Sequence, residues 1–328
     1  MRDTLYIVVP CYNEEEVLPE TSRRLGEKLT GLIAAGRIGE RSRVLFVDDG
    51  SKDRTWPIIE RLSEQNPLFR GAKLSRNKGH QNALLAGLMT AKEVCDMAIS
   101  MDADLQDDID AVDRMLDEYE GGSDIVYGVR SSRKKDSAFK RGTAQGYYKF
   151  MKMLGVDIVY NHADYRLMSR RALEGLAQFK EVNLFLRGIV PLIGYRFSIV
   201  EYERGERFAG ESKYPLKKML SFAFEGITSF SVRPIRLITV LGFVIFAISL
   251  VMILYSLLAH IFHFTILGWT SLMCSIWLLG GLQLLALGII GEYIGKIYFE
   301  AKARPKYIIE TVTGDREDGG KAEQLLQD

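Results

Sequence analysis

Three short clusters hold the residues best suited to chemistry: Asn13-Glu14-Glu15, Asp48-Asp49-Gly50-Ser51 and Asp102-Ala103-Asp104. In the last, two carboxylates stand two residues apart, and an extended backbone projects such residues to one side. Hard oxygen ligands of that kind suit magnesium or manganese held jointly with substrate phosphates, where the ion neutralises a departing diphosphate. A solvated acidic turn is the plain alternative; Gln106, Asp107 and Asp108, directly after, weigh towards a site. Asp48–Ser51 is open to two readings. It is either a turn leading to a helix cap, or a place where one carboxylate accepts hydrogen bonds from a nucleobase or ribose. Glu14 and Glu15 equally suit the first turn of a helix.

These clusters need elements to position them. Leu5–Pro10 is a β-branched apolar run and reads as a buried strand; Glu14–Ala35 has helical spacing and ends at Gly36. Strands follow over 43–47, 71–74 and 96–101, with helices over 52–65 and 79–93. This alternation predicts an α/β fold, a doubly wound, mostly parallel sheet built from βαβ units. Each acidic cluster then follows the carboxyl end of a different strand, the edge where such sheets bind ligands. Neither GxGxxG nor GxxxxGK[ST] occurs, so dinucleotide and P-loop fingerprints are absent.

Lys and Arg number 43 against 42 Asp and Glu, a net charge of +1 that argues against a nucleic-acid partner. Cys11, Cys95 and Cys274 are far apart, which excludes a disulfide framework and a structural zinc site. The charges are unevenly spread. From Leu237 to Gly291 there is no Asp, Glu, Lys or Arg, although 26% of the chain is charged. Two runs, about 237–259 and 267–290, are each long enough as helices to cross ~30 Å of hydrocarbon. The expectation is a two-helix transmembrane hairpin over 234–292, with Tyr255 and Trp269 at the interfaces. Arg233 and Arg236 precede it, and Lys296, Lys302, Arg304 and Lys306 follow, which places both termini and the catalytic part in the cytoplasm. Residues 214–233 read either as an interfacial amphipathic helix or as ordinary core packing. The stretch 293–328 is expected to be a cytosolic tail, disordered from Thr313.

Taken together, Val9–Glu15, Val47–Ser51, Arg76–Gln81 and Met101–Asp107 resemble the successive motifs of family 2 glycosyltransferases with a GT-A fold. More narrowly the chain resembles the polyisoprenyl-phosphate glycosyltransferases, relatives of bactoprenol glucosyltransferase and dolichyl-phosphate mannose synthase, over roughly residues 4–300. Gly210-Glu211-Ser212-Lys213, just before the hairpin, belongs to the same likeness. The resemblance implies a catalytic domain over 1–230, with a nucleotide-sugar half to residue 110 and an acceptor half over 111–213. Pro10, Tyr12, Glu14 and Asp48 would line the base and ribose pocket. Asp102 and Asp104 would hold a divalent metal (Mg or Mn) and the donor diphosphate, with Gln106 beside them. Arg130 would approach a phosphate, and Arg207, Ser212 and Lys213 would clamp the acceptor phosphate. Asp164, in Asn161–Arg166, matches an acidic position near the reacting centre; with Asp104 it is the candidate catalytic residue.

The implied reaction is inverting transfer of a hexose, with UDP-glucose the favoured donor, to polyprenyl (undecaprenyl) phosphate at the cytoplasmic membrane face. Membrane lipids are implied partners, and a homo-oligomer, a tetramer by the nearest family members, is implied too. A phosphate monoester with a second pKa near 6 is already largely dianionic at neutral pH. Asp164 is therefore open to four readings: general base, acceptor-orienting residue, metal-shell residue or turn residue. The basic run 130–141 is a solvated face or a headgroup-attracting loop. Two rivals stand beside this reading. A processive polysaccharide synthase of the same fold would carry a Gln-x-x-Arg-Trp segment, which this chain lacks. An inert membrane scaffold would be favoured by loss of the acidic pair, which is intact.

Overall fold

The computed structural model describes residues 2–130, 162–181, 184–203, 240, 244 and 269–313. Strand β1 (Leu5–Cys11) is buried at all seven positions. That is what an unbroken apolar run does at the centre of a sheet covered on both faces. Parallel to it lie β2 (Arg43–Asp48) on one side and β4 (Met97–Ser100) on the other, and β3 (Phe69–Leu74) lies beyond β2. The linking helices are α1 (Leu18–Ala34), α2 (Thr55–Gln65) and α3 (His80–Lys92). Helix α1 begins four residues later than its spacing suggests. Pro19 occupies its first turn, where a fixed φ and a missing N–H cost nothing, while the Glu14 carbonyl accepts from the Val17 and Leu18 amides in the turn before it.

Beyond β4 the sheet turns mixed: among the described strands four of the seven pairings are parallel, all three within β1–β4 and β5 with β7, so the mostly parallel expectation holds while the edges depart from it. The remaining elements are α4 (Ala111–Glu120), β5 (Ile125–Arg130), β6 (His162–Ser169), α5 (Arg170–Ala177), α6 (Leu186–Leu192), β7 (Phe197–Tyr202), α7 (Trp269–Lys302) and β8 (Ile309–Thr313). The eight strands run in the order β7-β5-β6-β4-β1-β2-β3-β8. β6 is antiparallel to both β4 and β5, and β8 is antiparallel to β3. The β4–β6 register pairs Ser100 with Arg166. Extending it by two residues sets Asp164 across from Asp102, just past the end of β4. That single pairing brings a residue from the second half of the domain to the acidic edge of the first.

β8 corrects the expected tail. Instead of leaving the domain, Ile309–Thr313 closes the sheet, with Gly71 N–H donating to Thr313 Oγ1 at 2.9 Å and Lys73 Nζ 3.2 Å from Glu310 Oε1. Residues 314–328 lie outside the described set, as do the interfacial-helix stretch and nearly all of the first expected span. The second span falls on α7, a 34-residue helix continuing past residue 290 to Lys302, about 51 Å at 1.5 Å per residue. Side chains are described at only part of its positions, and among the described residues no helix is long and apolar enough to cross a membrane. The chain divides into two compact units: Met1–Ala144, Ile158–Lys213 and Arg304–Asp328 form one, and Gln145–Asp157 with Tyr214–Ala303 the other.

Within the first unit, α3 packs directly on β1 and β2 through Gly87. A Cβ there would sit 2.4 Å from Val8 Cγ1 and 2.6 Å from Val47 Cγ2, inside any real contact distance. Gly87→Ala is therefore expected to force α3 off the sheet and cost about 1–3 kcal/mol, the usual range for overpacking. A lowered thermal midpoint in an unfolding scan of the full chain checks it; an unchanged midpoint would show that the helix shifts freely.

Candidate active site

The carboxyl ends of β1, β2 and β4 carry the three sequence clusters, and hydrogen bonds lace the first two together. Asn13, held at φ 55°, donates its N–H to Ser51 Oγ at 3.0 Å, and Lys52 N–H returns a bond to Asn13 Oδ1 at 2.9 Å. Glu14 N–H donates to Thr55 Oγ1, and Glu15 N–H to Asp53 Oδ2. The Tyr12 side chain stays 43% exposed on this rim, while Pro10 is buried within β1. Gly50 is required at the bend: its φ is +65°, and a Cβ would lie 2.6 Å from the Asn77 nitrogen.

The two aspartates of the second cluster divide the readings left open above. Asp49 is structural, its carboxylate accepting from the backbone N–H of Lys78 at 2.7 Å and of Gly79 at 2.9 Å. Those bonds fix the loop entering α3 and so place His80. Asp48 is fully buried, shares the Ser51 N–H between its two oxygens, and burial pushes its carboxyl up.

Asp102 and Asp104 are not on an extended strand, as their spacing suggested. β4 ends at Ser100, and the pair sits in a turn with Leu105 at φ 57°. The Thr21 hydroxyl of α1 donates to the Ala103 carbonyl at 2.8 Å, and Gln106 N–H donates to Asp104 Oδ1 at 3.2 Å. Burial first, then the like charges of Asp107, Asp164 and Asp104, overcome the opposing pull of His80 and raise the Asp102 carboxyl to about 6.

Opposite Asp102 stands Asp164, at the centre of an ionic cluster. Arg187 grips it with two nitrogens, Nη2 at 3.0 Å from Oδ2 and Nε at 3.3 Å from Oδ1. Arg166 Nη2 donates to Oδ1 at 2.7 Å. His80 Nε2 lies 3.7 Å from Asp164 Oδ2 and 3.6 Å from Asp102 Oδ1, bridging the two acids. Burial works to raise the Asp164 carboxyl, but Arg187, His80 and Arg166 outweigh it and hold the carboxyl well below the usual range. Burial likewise opposes a charged His80, and Asp164 and Asp102 overcome it, biasing the imidazole to its protonated form. A carboxylate so stabilised is a weak proton acceptor.

Arg130, expected to meet a phosphate, lies at the end of β5 beside Asp107, 3.5 Å from Nη2 to Oδ1. Arg207, Ser212 and Lys213 fall outside the described residues, as does the basic loop after Arg130. Among the described residues no group of three or more His, Cys, Asp or Glu is arranged to hold a metal ion. The Asp102–Asp104 pair nevertheless fits a hard divalent cation completed by substrate oxygens, because such an ion would offset the burial and the surrounding negative charge that raise Asp102.

The family model for glycosyl transferase family 2 matches residues 6–176, more than half of the chain. This chain belongs to glycosyl transferase family 2. It is 58% identical over 306 residues to the glycosyltransferase YkoT of Bacillus subtilis, covering 93% of this chain and 91% of that one. It is 40% identical over 312 residues to the bactoprenol glucosyl transferase of Shigella phage SfV, covering 93% and 97%. Among solved structures, mannosyl-3-phosphoglycerate synthase from Rubrobacter xylanophilus overlaps 68% of this chain and 71% of its own, at 15% identity and TM-score 0.45. The protein is a glycosyltransferase, and its acidic edge is the family 2 candidate active site.

Sequence reasoning quoted His80 within Arg76–Gln81 and Arg166 within Asn161–Arg166 without giving either a role, and it missed Arg187 and the loop-fixing role of Asp49 in this candidate site. One signal was present: Asp164 and Arg166 alternate on one strand and so share a face. Arg187 gave none, because what presents it is Gln81, whose Oε1 accepts the Leu186 N–H at 2.9 Å from another part of the fold. Asp164→Ala would leave Arg166, 1% exposed, without its partner, and breaking a buried pair costs about 3–5 kcal/mol. Asp164→Asn keeps the acceptor oxygen and is expected to lose less. Chemical denaturation of the two variants beside the parent checks that order; equal losses would mean that Arg166 finds another partner.

Proposed function

We propose that this glycosyltransferase moves a hexose, glucose from UDP-glucose by first assignment, onto a polyprenyl phosphate at the cytoplasmic face of a membrane, with inversion at the anomeric carbon. The observation that carries the proposal is the ionic state of Asp164. Two arginines and a histidine hold it anionic, so it is suited to orient an acceptor and unsuited to deprotonate one. A sugar hydroxyl needs its proton removed; a phosphate monoester arrives already ionised. The relatives named bactoprenol glucosyl transferase, about 40% identical along nearly their whole length, support the same acceptor class.

The donor lies along the rim with its base and ribose towards Tyr12, Glu14 and Asp48 and its diphosphate at Asp102 and Asp104, Gln106 beside them. A divalent cation bound there supplies charge neutralisation for the departing nucleotide diphosphate. An acceptor phosphate oxygen attacks the anomeric carbon from the opposite side. The new C–O bond forms as the bond to the nucleotide diphosphate breaks, and the leaving group keeps the electron pair. Arg130 and Arg187 provide fixed positive charge around two anionic reactants, with His80 biased the same way, and holding both at attack distance supplies much of the rate. The charge-free runs 237–259 and 267–290 support a two-span anchor, which would keep a lipid-soluble acceptor within reach. The basic flanks support a cytoplasmic catalytic unit. A homo-oligomer belongs to this reading by family resemblance.

Membranes containing the protein, given radiolabelled UDP-glucose and undecaprenyl phosphate, are expected to form a labelled lipid that EDTA abolishes and Mg²⁺ or Mn²⁺ restores. Asp104→Ala should lower this activity by about 100-fold or more, the scale for removing a group that stabilises the leaving charge. If no nucleotide sugar labels a lipid phosphate while a hydroxyl acceptor is labelled, the proposal fails.

A pH profile tests the ionised-acceptor argument separately. kcat/KM is expected to rise from acid pH through about 6, where the acceptor phosphate loses its second proton and the Asp102 carboxyl ionises in the same range. Asp164→Asn should lower the whole curve and leave that limb in place. Disappearance of the limb in the variant would identify Asp164 as the base.

A further inference from the structure

Arg130 does not stand alone at the end of β5. The parallel register of β5 and β7 sets it beside Tyr202, and its Nε donates to Tyr202 Oη at 3.2 Å. Tyr202 in turn donates its hydroxyl proton to Asp107 Oδ1, in the loop that follows Asp104. Asp107 is 3% exposed, and its Oδ2 has no hydrogen-bond partner among the described residues. Tyr202 is clamped by an edge-on contact with Tyr165, ring centroids 5.2 Å apart, while the Tyr165 hydroxyl donates to the Asp108 carbonyl at 2.9 Å. Three strands and the acidic loop thus meet at one phenol.

A phenol between a guanidinium and a buried carboxylate is an unusual choice if the aim is only a salt bridge. Arg130 lies 3.5 Å from Asp107 Oδ1 and could close a direct bidentate pair, yet its Nε goes to the hydroxyl. The phenol accepts from the arginine and donates to the acid, so it fixes the guanidinium plane without a second charged group taking both edges. Burial and the facing Asp107 push the Tyr202 hydroxyl up, which keeps it a donor at every working pH.

We infer that Tyr202 and Asp107 are positioning residues that set the angle at which Arg130 meets a substrate phosphate, coupling that arginine to the loop carrying Asp102 and Asp104. This inference rests on the reading of Arg130 as a phosphate-binding residue. Neither residue touches the reacting atoms. Their effect passes through Arg130, so it should vanish when Arg130 is absent.

The test is a double-mutant cycle in the full membrane-embedded chain, with a short-chain polyprenyl phosphate as varied acceptor and UDP-glucose in excess. Tyr202→Phe is expected to raise the acceptor KM by about 5–10-fold with kcat changed by less than about twofold, as for loss of an aligned charged hydrogen bond. Arg130→Ala should raise KM further, and the double variant should match Arg130→Ala alone, because the two residues act as a unit. Arg130→Lys, which keeps charge but loses the Nε fork, should resemble Tyr202→Phe. Asp107→Asn, isosteric but without the charge that draws the phenol proton and faces Arg130, repeats the cycle should Tyr202→Phe fail to fold, with the same rise in acceptor KM expected. Fully additive losses in the cycle, or an unchanged KM in Tyr202→Phe, would overturn the positioning role. An unchanged acceptor KM in Arg130→Ala would instead remove Arg130 from the acceptor phosphate, a separate failure that the same cycle distinguishes.

Discussion

The constraint on which the rest depends is electrostatic: Asp102, Asp107 and Asp164 are gathered at one sheet edge, where burial penalises the charge of each. A protein can tolerate such a group only by pairing it, and the pairing here is unequal. Asp164 has two guanidinium partners at 2.7 and 3.0 Å. Asp107 has a phenol and a more distant arginine. Asp102 has His80 at 3.6 Å, beyond hydrogen-bonding distance, and its carboxyl rises to about 6. The arginines are therefore spent on Asp164 and Asp107, and Asp102 is left with the weakest partner of the three. This division follows from where the arginines sit, and it turns a collection of carboxylates into a site with a direction.

The sheet makes the arrangement possible. In a wholly parallel sheet, the strand beside β4 would bring its own carboxyl end to the acidic edge, and the residues delivered there would follow that strand. Because β6 runs antiparallel, it delivers its beginning instead, and the β4–β6 register sets Asp164 opposite Asp102 while Arg166, two residues on, remains inside the sheet as its counterion. The same reversal places β5 parallel to β4, so that Arg130 reaches the edge too. One antiparallel strand thus supplies the anchor and orients its neighbour. The order of strands does chemical work that no individual strand performs.

How much of this could be read beforehand divides along the chain. The first hundred residues alternate apolar runs with helical spacing, β1, β2 and β3 pair in sequence order, and the predicted elements match to within a few residues at most ends. Helix starts slipped where a side chain or proline changed the local turn, as at Pro19. Beyond residue 120 the pairings are set by partners far away: β8 finds β3 across more than two hundred residues, and nothing in Ile309–Thr313 taken alone marks it as a strand of this sheet. The acidic residues were legible because three such clusters each follow a different strand, at the edge where these sheets bind ligands. Their counterions were not. His80 reads as an ordinary helix start after Gly79, and Arg187 follows an apolar stretch with no pattern around it. Basic residues become site residues through tertiary placement, and tertiary placement leaves a weak trace in local sequence.

That asymmetry bears on mechanism. If the acceptor had to be deprotonated, the site would need a carboxyl or imidazole poised near neutrality and within reach of a hydroxyl. At this edge Asp164 is tuned towards the anion and His80 towards the cation, and the one carboxyl raised to about 6, Asp102, belongs to the acidic pair whose ligand chemistry suits a cation. Tuning of this kind suits a reaction between two anions, a phosphate nucleophile and a nucleotide diphosphate leaving group, in which the difficulty is repulsion and not proton removal. The residues to which sequence alone gave no role, two arginines and a histidine, are the ones that tune Asp164.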